Sequence, residues 1–172
     1  RAATVRAGLT ALRARGAQDD DWVLVHDAAR ALLAPSLVEA LLDACAGDAV
    51  GGLLALPLAD TLKQAGEGER VAATVDRAGK WAAQTPQMFR LTLLERALDT
   101  AGPGVTDESS AVEALGLAPR LVPGALDNLK ITWPGDFALA ERLLAGRTPK
   151  ETSMRIGEGW DVHRLVTDRP LV

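Results

Sequence analysis

A chain of 172 residues with a net charge of −4 has room for one full domain and the beginning of another, and that charge gives nucleic acid or a membrane surface no general attraction. A 48% hydrophobic content is enough for a core, and with only 3% aromatic residues that core is aliphatic. The single cysteine, Cys45 in "LLDACA", rules out an internal disulfide and fits a core position in a reducing cytoplasm.

In chain order, the first residues read as a helix with Val5, Leu9 and Leu12 at helical spacing. The sequence opens inside that helix and closes on "RPLV", which reads as the start of a strand, so a longer polypeptide is expected. "WVLVHD" is a strand, and "APSLVEALLDACAG" a helix entered through Pro35 and Ser36 and closed by Gly47. "AVGGLLALPLA" is too short and too interrupted to span a bilayer, and no signal peptide precedes it. It reads instead as an apolar strand running into "ADTLKQ". The Gly-rich "QAGEGER" then turns the chain into "VAATVDR", which makes a projecting β-hairpin. "LTLLERALDTAG" and "DESSAVEALG" are amphipathic helices, "LKITW" a short strand, and "PGDFALAERLLAG" a helix with Pro134 at its first position. Short apolar strands alternating with helices predict an α/β fold: a doubly wound, mostly parallel sheet covered on both faces, with the hairpin as an arm.

In such sheets ligands bind beyond the carboxyl ends of the strands. "HDAAR" follows one of those ends, and its small alanines let a ligand approach Asp27 and Arg30. The carboxylate can hold a divalent cation or a ribose hydroxyl, and the arginine can clamp a phosphate. A plain Asp–Arg ion pair tying down the loop is an equal alternative. An aspartyl-nucleophile reading is weaker, because Ala29 stands where a second aspartate is needed. "DTLK" (60–63), "VDRAGKW" (75–81), "QTPQMF" (84–89), "TDESS" (106–110) and "DNLKIT" (127–132) all fall in loops or beyond strand ends and offer hydroxyls or cations. Taken singly each suits a cap or turn, as Asp107 and Glu108 suit a helix's first turn. Lys130 stands apart, since a lysine beside an apolar strand needs a reason to point inward.

In this order, "VLVHDAAR", "DT", "TVDR", "TPQ.F", "TDE.S" and "DN.K.T" resemble the 2-C-methyl-D-erythritol 4-phosphate cytidylyltransferases over residues 1–147. The resemblance implies a nucleotide-binding fold and transfer of CMP from CTP to the acceptor's 4-phosphate, with magnesium as cofactor. By the same resemblance Asp27, Ala28 and Arg30 contact nucleotide and substrate, with Asp27 at the metal. Thr61, Arg77 and Thr85 hold the acceptor, and Arg77 and Lys130 position it for attack. Thr4 stands where the family has a cytidine-contacting serine, and Ala31 where it commonly has proline. The resemblance also implies a Gly-rich triphosphate loop upstream of Arg1, and a homodimer in which the hairpin arm completes a neighbouring site. A different sugar-phosphate nucleotidyltransferase and a non-catalytic dimerising fragment stay open as alternatives.

"AGRTPKETS" has the profile of a linker, here taken as residues 148–153. Beyond it, "MRIGEGWDVHRL" begins a second domain at residue 154, with Asp161 and His163 at i and i+2. On a strand that spacing puts both side chains on one face, within reach of one metal ion. The segment resembles the first strand of the 2-C-methyl-D-erythritol 2,4-cyclodiphosphate synthases, "MRIG.G.DVH", with Glu158 in place of a common histidine. That resemblance implies zinc bound by Asp161 and His163 with a later histidine, substrate contact by Asp161, Val162 and His163, and a fused bifunctional enzyme.

Overall fold

The computed structural model describes residues 2–102 and 105–147. Helix α1 (Ala2–Ala14) leads to β1 (Trp22–Val25), α2 (Pro35–Cys45) and β2 (Gly51–Pro57). The arm consists of β3 (Leu62–Ala65) and β4 (Val71–Val75), and β5 (Trp81–Arg90) follows it. Then come α3 (Leu91–Thr100), α4 (Glu108–Glu113), β6 (Arg120–Pro123) and α5 (Pro134–Ala145). The linker and second-domain expectations, including Asp161, Val162 and His163, lie outside the described residues.

The α/β class is as expected, and the sheet is mixed. Its order is β1-β5-β2-β6, with β5 antiparallel to both neighbours and β2 parallel to β6. Thus β1, β2 and β6 share one direction, and their carboxyl ends meet the amino end of β5 at one edge.

Three local expectations differ from this structure. "QTPQMF", taken as a loop, is the centre of β5, because a proline ordinarily argues against a central strand. Here the register of β5 against β2 slips between Leu53 and Ala55, which face Gln87 and Ala83. Pro86 sits in that slip, where the ladder asks for no N–H. "LKITW", expected as a strand, is loop; the short strand nearby is β6, hidden in the sequence between Pro119 and Pro123. The expected 107–116 helix is only six residues long. Its N-cap is Asp107, whose carboxylate accepts from Ser110 N at 2.9 Å while Ser110 Oγ accepts from Asp107 N at 3.1 Å.

Alternation along β5 sends Phe89 to one face of the sheet and Met88 to the other. Phe89 packs with Leu9, Val23, Leu94, Leu98 and Val112, which bring α1, α3 and α4 onto its face. Met88 packs with Leu41, Cys45, Leu54 and Val122, so α2 covers the opposite face. Cys45 is fully buried, as its setting predicted, and burial pushes its thiol pKa up. Gly51 is obligatory at the start of β2. Its φ of +107° lies in the left-handed region, and an added Cβ would sit 2.2 Å from the Met88 carbonyl.

The arm forms its own two-stranded sheet, with Leu62 opposite Val75. Val71 on it is 63% exposed.

Candidate functional site

Where β1 ends, residues 26–30 turn over the sheet edge, and Arg30 N donates to the Asp27 carbonyl at 2.9 Å. From β6, residues 124–132 pass over the same edge, where Ile131 N donates to the Ala29 carbonyl at 2.8 Å. This brings Lys130 Nζ to 3.1 Å from Asp27 Oδ2. The lysine side chain is 46% exposed and the aspartate 16%, so the pair sits at the surface of the sheet edge and not in the core. Such a half-exposed pair contributes at most about 1 kcal/mol to stability. A ligand carrying several negative charges can therefore compete for the ammonium.

Arg30 completes the cluster. Its guanidinium donates to the Asn128 carbonyl through Nη1 at 2.6 Å and to the Ala83 carbonyl through Nη2 at 3.4 Å. Asp27 pairs with Lys130, and two main-chain carbonyls hold the Arg30 guanidinium.

Behind the charged groups lies a chain of hydrogen bonds. Asp27 N donates to Thr85 Oγ1 at 3.0 Å, and Thr85 Oγ1 lies 3.0 Å from His26 Nδ1. His26 Nε2 is 3.1 Å from the Arg30 carbonyl, which can only accept. The network therefore places the imidazole proton on Nε2, and the Thr85 hydroxyl donates to Nδ1. Thr85, expected to hold the acceptor, is 4% exposed, and its hydroxyl contacts Asp27 N and His26. It braces Asp27.

The remaining expected residues are dispersed. Thr61 and Arg77 are exposed at the base of the arm, just before β3 and just after β4. Ala28 is exposed between Asp27 and Arg30 and adds little bulk there. Thr4 lies on α1, on the far side of His26, at a mostly apolar cavity of about 470 Å³ lined by Leu9, Leu12, Val23 and Val25. His26 borders this cavity as well as the charged cluster.

Sequence reasoning passed over His26, Gln84 and Asn128. All three stand inside the quoted motifs, but nothing in one sequence marks Gln84 and Asn128 as buried amides. Gln87 is a further case: its side chain donates to Asp107 Oδ2 at 2.7 Å and accepts from Ser109 N at 2.7 Å, tying "TDESS" to β5.

Among the described residues no group of three or more His, Cys, Asp or Glu side chains is placed to hold a metal ion. Magnesium that arrives with a triphosphate needs only one or two carboxylates besides the phosphates, and Asp27 at the sheet edge fits that mode. No helix among the described residues is long and apolar enough to cross a membrane.

An open α/β sheet that gathers lysine, arginine and aspartate at one set of strand ends has the plan of a nucleotide-binding doubly wound protein. Residues 1–146 match the model of the family described as IspD, 2-C-methyl-D-erythritol 4-phosphate cytidylyltransferase, and the chain belongs to that family. It is 59% identical to the 2-C-methyl-D-erythritol 4-phosphate cytidylyltransferase of Ralstonia nicotianae, over 88% of this chain and 62% of the relative. It is 55% identical to the "Bifunctional enzyme IspD/IspF" of Albidiferax ferrireducens, over 100% of this chain and 44% of the relative. A solved 4-diphosphocytidyl-2C-methyl-D-erythritol synthase superposes with a TM-score of 0.79 at 49% identity, over 83% of this chain and 66% of that one. The chain thus spans about half the length of the curated relatives it matches.

Proposed function

We propose that this chain, within a longer cytoplasmic polypeptide, forms the acceptor side of a cytidylyltransferase of non-mevalonate isoprenoid-precursor synthesis. The reaction moves CMP from CTP to 2-C-methyl-D-erythritol 4-phosphate. An oxygen of the 4-phosphate attacks the α-phosphorus of CTP and forms a new P–O bond. The bond from that phosphorus to the oxygen bridging to the β-phosphate breaks, and pyrophosphate leaves with its electron pair.

The observation that carries this reading is the Lys130–Asp27 pair at 3.1 Å with Arg30 alongside, at the strand ends of a family fold. The attacking phosphate is already an anion, so the site's task is positioning and charge neutralisation. Lys130 and Arg77 hold the acceptor phosphate, with Thr61 beside Arg77. Asp27, Ala28 and Arg30 meet the nucleotide, Thr85 keeps Asp27 in place, and Thr4 reaches the cytidine. At Asp27 a magnesium ion would add charge neutralisation for the triphosphate.

The reading is tested on a polypeptide extended to the span of the relatives, by following ³¹P signals with CTP and the acceptor. Pyrophosphate and 4-diphosphocytidyl-2-C-methyl-D-erythritol are expected. Faster transfer from another nucleotide or to another sugar phosphate favours a different nucleotidyltransferase, and no transfer from any pair favours a scaffold.

Two further parts belong to the proposal. A two-stranded arm is marginal on its own, and the exposed Val71 gives this one an apolar surface to cover. The arm therefore makes a homodimer, delivering Thr61 and Arg77 to the neighbouring subunit's site. Mixing Arg77→Ala and Lys130→Ala proteins should then restore activity through hybrid dimers; no recovery after proven subunit exchange counts against a shared site. The Albidiferax relative matches residues 148–172 as well. That match is in keeping with a second domain, which we place after a linker at 148–153 as a cyclodiphosphate synthase beginning at 154; in this proposal Asp161 and His163 are zinc ligands and Val162 lies against the substrate.

A further inference from the structure

Lys130 does not sit on a strand. Its segment has no ladder to hold it, and yet the ammonium arrives 3.1 Å from Asp27. Two anchors bracket it. On one side Ile131 N donates to the Ala29 carbonyl at 2.8 Å. On the other, two residues before the lysine, is the Asn128 side chain, which is fully buried.

Asn128 Nδ2 donates to the Thr85 carbonyl at 2.9 Å and to Gln84 Oε1 at 3.2 Å. Gln84, itself 6% exposed, closes the clamp by donating from Nε2 to the Ala125 carbonyl at 2.9 Å and accepting from Ala125 N at 3.3 Å. The Asn128 main-chain carbonyl also receives Arg30 Nη1 at 2.6 Å. One residue thus ties β5 to the Lys130 loop and aims the Arg30 guanidinium. Its Oδ1, meanwhile, is buried without a hydrogen-bond partner among the described residues. Native structures seldom leave such an atom unmet without a reason. A requirement for the two donors, not for the amide as a whole, supplies one.

We propose that Asn128 is a positioning residue for cytidylyl transfer: clamped by Gln84 and Thr85, it fixes the loop that carries Lys130 to the reacting phosphate. The proposal rests on the transferase reading above. The Asn128 carbonyl that receives Arg30 is main chain and survives truncation, so the side chain acts through Lys130 and its loss should be felt only where Lys130 is present. A residue that merely stabilises the fold has no such dependence.

The test is a double-mutant cycle in the extended, active protein. Asn128→Ala should lower kcat/KM for the acceptor by roughly 10²-fold, the scale of a misplacement near 1 Å. In a Lys130→Ala background the same change should cost less than about threefold. An equal loss in both backgrounds overturns the proposal. If Asn128→Ala does not fold, Gln84→Met carries the cycle; it keeps the volume, removes one acceptor of Nδ2, and should cost roughly tenfold only with Lys130 present. Failure of both to fold marks a purely structural role and also overturns the proposal. A wild-type protein that moves no CMP overturns the underlying reading first, which separates the two failures.

Discussion

On the proposed reading, Lys130→Ala in the extended protein should lower kcat/KM for cytidylyl transfer by about 10²–10³-fold while leaving the fold almost untouched. The size follows from removing one preorganised charge from a phosphate in flight, which costs on that order when the contact strengthens in the transition state. The small structural effect follows from exposure. At 46% exposed, the ammonium makes an ion pair with Asp27 that contributes at most about 1 kcal/mol. Steady-state kinetics at saturating CTP, alongside thermal unfolding, separates the two. Lys130→Arg keeps the charge but carries a wider, forked donor set, so it should recover only part of the rate. Activity of Lys130→Ala within a few fold of wild type removes the residue from the mechanism.

The second large effect lies on the opposite side of the sheet edge, in the core. Phe89→Ala should destabilise the protein by about 3–5 kcal/mol, the usual range for emptying a buried phenylalanine site. Phe89 is fully buried, faces Val23 on β1 and Gly51 on β2, and packs against three helices. Those partners belong to five elements, two of them strands held in register with β5, so the cavity cannot collapse cheaply. Against a total stability of about 5–15 kcal/mol, the change brings the chain close to unfolding. Val71→Ala on the exposed arm is the control, expected to stay within about 0.5 kcal/mol in the monomer. Urea titrations of both variants give the comparison, and a Phe89→Ala midpoint equal to that of Val71→Ala would show that the ring is not a keystone of the core.

Which parts of this were legible from sequence depends on the range of the forces involved. The helices at 2–14, 35–45, 91–100 and 134–145 announce themselves through local spacing and caps, and the arm through its glycines. The central strand does not. Pro86 speaks against a strand locally, and only the slipped register with β2, set by residues some thirty positions earlier, makes room for it. The parallel pairing of β6 with β2 is likewise invisible in "RLVP" alone. At the site, Asp27, Arg30 and Lys130 could be picked out as charges beyond apolar runs, and they do converge. The supports could not. His26, Gln84 and Asn128 matter because of three-dimensional neighbours, and a buried glutamine or asparagine looks the same in a sequence as one on a loop. Thr85 shows the limit from the other side: its motif was recognised, but the direction of its hydroxyl is decided by His26 and Asp27.

The placement of β5 between β1 and β2 also sets a timetable on the ribosome. No ladder of the four-stranded sheet joins β1 to β2 directly; each of the two pairs with β5, and β2 has only β6 on its other side. Every bond of that sheet therefore waits at least until Trp81, the first residue of β5, has been made and has cleared the exit tunnel. At roughly 5–20 residues per second, the apolar "GGLLAL" of β2 is carried for a few seconds with neither neighbour available. During that interval only the arm, whose two strands adjoin in the chain, can pair with itself. The nascent chain thus offers a sticky, unmatched strand to chaperones and to other nascent chains, and synonymous codon changes that slow translation between residues 57 and 90 should lower the soluble yield without altering a single side chain.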